Sequence, residues 1–185
     1  MTLRPWRVEI IMSQKLVVQD LIGVWLLLTG CFIGALVVNE MRPTPLSLVY
    51  LSPKSRLNQI VQQLGSPETA SVGLDGDVSR NEMQRLILNH GALILDARPE
   101  IFYQLSHIPS ALSLPRDDFE KQYLALQSTL QSHHGVPLVV YCSGSDCHDS
   151  QLVADALQKL GYPHVRLFRG GWGDWEAAGL PEEKE

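Results

Sequence analysis

Residues 136–161 read V-P-L-V-V-Y-C-S-G-S-D-C-H-D-S-Q-L-V-A-D-A-L-Q-K-L-G, and no other stretch restricts the fold as tightly. An apolar run delivers Cys142 at its end, a short polar loop carries Cys147, and an amphipathic segment begins near Asp149 or Ser150. A cysteine that leaves a buried strand and faces backbone N–H groups at a helix start is placed to ionise. The same strand–loop–helix order builds an anion cradle. The spacing predicts that the amides of Ser143, Gly144, Ser145, Asp146 and His148, with the start of the Ser150 helix, stabilise the Cys142 thiolate and lower its pKa. Gly144 is expected to keep side-chain bulk out of the cradle. Asp146 and Asp149 oppose a thiolate, so they are expected to point outward or to cap amides. Four residues separate Cys142 from Cys147, and a disulfide can close there if the Cα atoms come within about 7 Å.

The flanking pattern extends this unit in both directions. Ser52-Pro53 predicts a helix start whose Leu57, Ile60, Val61 and Leu64 share one face and whose end is Gly65. Ser79 and Glu82 have capping-box spacing ahead of a helix carrying Met83, Leu86 and Ile87 inward. Short strands are expected at 71–74, at 92–95 ending in Asp96, at 111–114, at 137–141 and at 165–168. Helices are expected at 100–105, from Asp117 or Asp118 to 132, at 150–160, and from Gly170-Gly171 through Trp172, Trp175 and Ala178. Strands alternating with helices predict an α/β fold with an open, mainly parallel five-stranded sheet flanked by helices. Ligands of such sheets sit beyond the C-terminal strand ends, where Asp96 and Cys142 lie. The last residues, 182–185, are expected to fray.

Residues 21–38 form a different signal, eighteen residues without a charge. A helix of that length spans about 27 Å, near the thickness of the hydrocarbon layer of a bilayer. It predicts a single transmembrane helix rather than a cleaved signal peptide, because no small-x-small site precedes a polar start. Cys31 lies within it as a small apolar residue. The expected organisation is a flank and membrane helix over 1–42, a juxtamembrane linker with a short amphipathic helix over 43–78, the α/β domain over 79–181, and a tail over 182–185. Lys and Arg are nearly balanced on the two sides of the span. The closer N-terminal cluster tilts the expectation toward a soluble domain on the non-cytoplasmic side, in a bacterial inner membrane. Residues 66–185 hold nine Lys/Arg against seventeen Asp/Glu, which argues against nucleic acid as a partner. Cys142, Cys147 and His148 would be crowded zinc ligands, so neither a metal nor a cofactor is expected.

The segments D-A-R-P-E (96–100), H-I-P-S-A-L-S-L-P (107–115), V-V-Y-C-S-G (139–144), residues 150–161 and F-R-G-G-W-G-D-W-E-A-A-G-L-P (168–181) resemble the rhodanese-like (sulfurtransferase) domain, in that family's order. The resemblance implies a catalytic Cys142 that takes sulfane sulfur from a small donor, holds it as a persulfide and passes it to cyanide or a thiol. It also implies supporting roles for Asp96 and Arg98, with Gly170, Gly171 and Trp172 in a closing turn. This chain departs from the family pattern at the sixth loop position, where Cys147 replaces a basic or hydroxyl residue. His148 could replace part of the missing charge when protonated. Cys147 could attack the persulfide, releasing sulfide. The expected function is therefore a membrane-tethered sulfurtransferase-type protein. The alternatives are a thiol–disulfide oxidoreductase using the same cysteines and a non-catalytic docking module. Expected partners are the sulfur donor and acceptor, the lipid bilayer and a neighbouring membrane or redox protein.

Overall fold

The computed structural model describes residues 5–42, 51–65 and 76–185. The chain divides into two compact units, Met1–Tyr50 and Leu51–Glu185. In the first, helix α1 runs from Pro5 to Glu40. The flank before the charge-free run is thus helical as well. Pro5 occupies the first helical position, where its missing N–H costs nothing, and no further proline interrupts the sequence as far as Glu40. Within its Gln19–Glu40 part an eighteen-residue window has a mean hydropathy of 2.5, and no residue of that window is buried against the protein. By length and composition it can cross a membrane.

The second unit is an α/β layer structure. Its elements are α2 (Pro53–Gln63), α3 (Arg80–Leu88), β1 (Leu93–Asp96), α4 (Glu100–Leu105), β2 (Leu112–Ser113), a 3₁₀ turn (Arg116–Asp118), α5 (Phe119–Ser132), β3 (Leu138–Tyr141), α6 (Asp149–Lys159), β4 (Val165–Phe168) and α7 (Gly171–Ala177). All pairings are parallel, in the order β2-β1-β3-β4. The sheet therefore has four strands among the described residues rather than the expected five. The fifth was expected at 71–74, outside the described residues. Next to it, Asp77 makes one parallel bridge to Leu167 beside β4, too little to constitute a strand.

Alternation along the strands divides the core in two. Leu138 and Val140 face one side, with Leu57 and Val61 of α2, Phe119, Tyr123 and Leu130 of α5, and Val153 and Leu157 of α6. Val139 and Tyr141 face the other, with Met83 of α3, Tyr103 of α4 and Trp175 of α7. Several local signals act as expected. Ser52 accepts the Ser55 amide at the start of α2, and Ser79 accepts the Glu82 amide at the start of α3. The Glu82 carboxylate does not complete a capping box. It takes a hydrogen bond from Arg166 of β4 at 2.6 Å, and that bond holds its pKa below the ordinary carboxylate value. Asp118 sits at the N-cap of α5 but makes no capping hydrogen bond; its carboxylate pairs with Lys121 instead.

The C-terminal tail is pinned rather than frayed. Glu183 exchanges backbone hydrogen bonds with His107, each 2.9 Å. The Ser106 hydroxyl donates to Glu182, and the Ser110 amide donates to the Glu183 carboxylate. The physical reason is a backbone ladder to a distant loop, which composition of the tail cannot reveal.

Candidate active site at the cysteine loop

Register places the site. Asp96 stands opposite Ser113 on one side and Tyr141 on the other, and Tyr141 stands opposite Phe168. All four strands thus end in one row, and the loops after them converge at one edge. The chain crosses from β2 over β1 to β3, so the sheet's switch point lies between Asp96 and Cys142. In open parallel sheets that crevice is where ligands bind.

Cys142 follows β3 and is 3% exposed. It is joined by a disulfide to the half-buried Cys147, with Cα atoms 6.2 Å apart. Between them the loop turns tightly, the Cys147 amide donating to the Gly144 carbonyl at 3.1 Å. The amides of Ser143, Gly144, Ser145 and Asp146 have no acceptor among the described residues. The carbonyls of Cys142 and Ser143, by contrast, are occupied. Trp172 and Gly173 donate their amides to the carbonyls of Cys142 and Ser143, each at 2.8 Å. Gly171 makes this contact possible: it has φ +60°, and a Cβ there would strike the Cys142 carbonyl and lie 2.8 Å from the Gly144 nitrogen. Gly144, expected to be the residue that keeps the cradle clear, has nothing closer to such a Cβ than the Gly170 carbonyl at 3.9 Å. The tight spot is in the closing turn, not in the loop.

Beneath the loop lies a buried polar cluster. Asp96 is fully buried and Arg98 is 3% exposed. Arg98 donates its backbone amide, Nε and a terminal nitrogen to the Asp96 carboxylate at 2.7–3.1 Å. Its guanidinium also reaches the Ser106 carbonyl at 2.7 Å and lies 4.8 Å from the centre of the Trp172 ring. Burial acts to lower the Arg98 pKa, but the hydrogen bonds and charge of Asp96 outweigh it and hold it above its ordinary value. The Tyr141 hydroxyl donates to Asp96 at 2.6 Å and accepts from the Ile108 amide at 3.2 Å. Burial first, and the Asp96 charge second, push the Tyr141 pKa up. One ion pair thereby ties together the ends of β1 and β3, the loop after α4 and the turn that carries Trp172.

Residues 79–178 match the family model described as the rhodanese-like domain, over half of the chain. The chain belongs to the rhodanese-like family. Its rhodanese-like domain is 33% identical over 92 residues to the thiosulfate sulfurtransferase YnjE of Escherichia coli, covering 44% of this chain and 21% of that protein. It is 34% identical over 89 residues to the adenylyltransferase and sulfurtransferase UBA4 of Candida albicans, covering 45% and 19%. The chain therefore spans only about a fifth of the length of these two relatives. A solved protein of Bacillus halodurans superposes with a TM-score of 0.51 at 19% identity, covering 72% of this chain and 87% of that one; it bears on the fold alone.

Within the rhodanese-like domain, the remaining site residues separate. Ser150 is buried in the first turn of α6. His148 is exposed and turned back on the loop, its Nδ1 donating to the Asp146 carbonyl at 3.1 Å. Asp146 is exposed. Asp149 does neither thing expected of it, since it neither points away nor caps an amide. A carboxylate oxygen of Asp149 and the two sulfurs lie within 4.8 Å of one another. Arg116, from the turn after β2, donates Nε to this carboxylate at 2.6 Å and pairs with Asp117 at 2.6 Å. Sequence reasoning missed Arg116. The available signal was its position just beyond a strand end that shares the Cys142 edge.

Proposed function

We propose that this protein is a membrane-tethered sulfurtransferase in which Cys142 carries sulfane sulfur as a persulfide and Cys147 removes it. The observation that carries the reading is the bonded Cys142–Cys147 pair at the switch point, beside four loop amides without an acceptor among the described residues. In the reduced protein the Cys142 thiolate attacks the outer sulfur of a donor. A new S–S bond forms, the donor's S–S bond breaks, and the donor's remaining sulfur leaves with the electron pair. The Cys142 persulfide then passes its outer sulfur to a thiol or cyanide. Alternatively the Cys147 thiolate attacks Cys142 Sγ, closing the disulfide and expelling hydrosulfide. A cellular dithiol reopens the pair by exchange. The loop amides and the start of α6 would hold the anionic sulfur. Asp96 and Arg98 support the loop from below. The Gln19–Glu40 helix would keep this chemistry at a membrane surface.

The test uses the reduced full-length chain and a persulfide donor. Cys147→Ser is expected to accumulate a Cys142 adduct heavier by one sulfur atom, whereas the native chain releases sulfide and returns to the disulfide. Cys142→Ser is expected to abolish both. Identical sulfur release from the native chain and Cys147→Ser would remove the role of Cys147. The disulfide itself favours a second reading, a tethered thiol–disulfide oxidoreductase. That reading gains if neither protein ever carries added sulfur while both cysteines still exchange with a dithiol. Partitioning with membranes after alkaline carbonate extraction tests the tether, and protease access in sealed vesicles reports the side.

A further inference from the structure

The charge around the cysteine pair restricts its sulfur donor, given the sulfur-transfer reading above. Asp149 places a carboxylate oxygen within 4.8 Å of both sulfurs. Asp117 is bonded to the same guanidinium that pairs with Asp149. Asp146 is exposed on the loop itself. Against these three carboxylates stands Arg116, 21% exposed through its side chain and already committed to two of them. Arg98 is buried below the loop and bound to Asp96. His148 is bonded to its own loop. A dianionic donor therefore meets net negative charge and a guanidinium whose Nε and one terminal nitrogen already serve carboxylates.

We infer that the cysteine loop takes sulfur from a neutral or cationic thiol persulfide and rejects thiosulfate, with Asp149 as the specificity-determining residue because it occupies Arg116. The transfer balances without an added oxidant. The Cys142 thiolate attacks the outer sulfur of R–S–SH, the Cys142 persulfide forms, and RS⁻ leaves to take up the proton. With thiosulfate the same attack would have to expel sulfite past the Asp149 carboxylate.

The experiment loads reduced full-length Cys147→Ser with cysteamine persulfide, a cation, or with thiosulfate, and follows the mass of Cys142. Cysteamine persulfide is expected to react at least about ten-fold faster. Raising ionic strength is expected to slow the cationic donor and speed the anionic one, since screening removes attraction in one case and repulsion in the other. This arm needs no further substitution near the loop. Adding Asp149→Asn is expected to raise the thiosulfate rate about ten-fold by releasing Arg116, and Arg116→Gln in that background is expected to cancel the gain. Equal rates from the two donors, or salt effects of the same sign, would overturn the inference while leaving sulfur transfer intact. Loading by neither donor would overturn sulfur transfer itself.

Discussion

Gly171 is the residue on which the geometry of the cysteine loop turns. Its φ of +60° and its contact with the Cys142 carbonyl exclude any side chain. Gly171→Ala is therefore expected to cost about 1–3 kcal/mol and to displace the loop. Urea unfolding and the alkylation rate of reduced Cys142 would register both changes. Gly144→Ala meets only an ordinary contact at 3.9 Å and is expected to leave stability within about 0.5 kcal/mol. A larger loss in Gly144→Ala than in Gly171→Ala would refute the assignment of the tight contact. Asp96 is tested in the same way. Asp96→Ala leaves Arg98 charged and buried without its partner, and Tyr141 without its acceptor. The expected loss is about 3–5 kcal/mol, whereas Tyr141→Phe removes one hydroxyl from the cluster and is expected to cost about 1–3 kcal/mol.

Among the elements, α2 lies outside the family match, which begins at residue 79, yet it packs as core. Leu57 and Val61 are buried with the α6 side chains, and Lys159 of α6 donates to Asn58 at 2.5 Å. Leu57→Ala is expected to destabilise the unit by about 2–4 kcal/mol, as an interior substitution would. A calorimetric midpoint unchanged from the native chain would show that α2 is only appended. The helix itself was legible, because Ser52-Pro53 and the spacing of Leu57, Ile60, Val61 and Leu64 are local signals. So were the strands at 93–96 and 138–141 and the cysteine at the end of the latter, since apolar runs and breakers mark them. The features that escaped the sequence depend on register between distant segments. Arg116 reaches Asp149 only because β2 and β3 end in the same row. Gly171 matters only because its turn presses on a loop far away in the chain. Glu183 pairs with His107 through backbone groups, which no side-chain pattern announces.

At the scale of the whole molecule, the two faces of the sheet share a feature that sets how stability depends on pH. Each face buries tyrosines whose hydroxyls are held inside: Tyr103 donates to the Ala111 carbonyl at 2.9 Å, Tyr141 donates to Asp96, and Tyr162 lies 3.5 Å from the Tyr123 hydroxyl. Burial, then nearby carboxylates including Glu185 and Glu100, push Tyr103 up to about 12. Burial raises Tyr141 and Tyr162 as well, with Asp96 and Tyr123 adding to the respective effects. In the unfolded chain these phenols ionise near pH 10. Below that value both states hold the proton and the contribution is fully present. As pH rises further the unfolded state releases protons that the folded state retains, so stability falls until the folded phenols ionise too. Each such group adds at most about 1.4 kcal/mol per pH unit to that slope. Urea unfolding of the full-length chain is expected to show a flat stability from pH 8 to 9 and a steepening loss above about pH 10. Tyr162→Phe is expected to make the loss shallower, because it removes one ionisation from the unfolded state. A profile that stays flat to pH 11, or a Tyr162→Phe chain with the native slope, would mean that these hydroxyls are less enclosed by the two core faces than their contacts require.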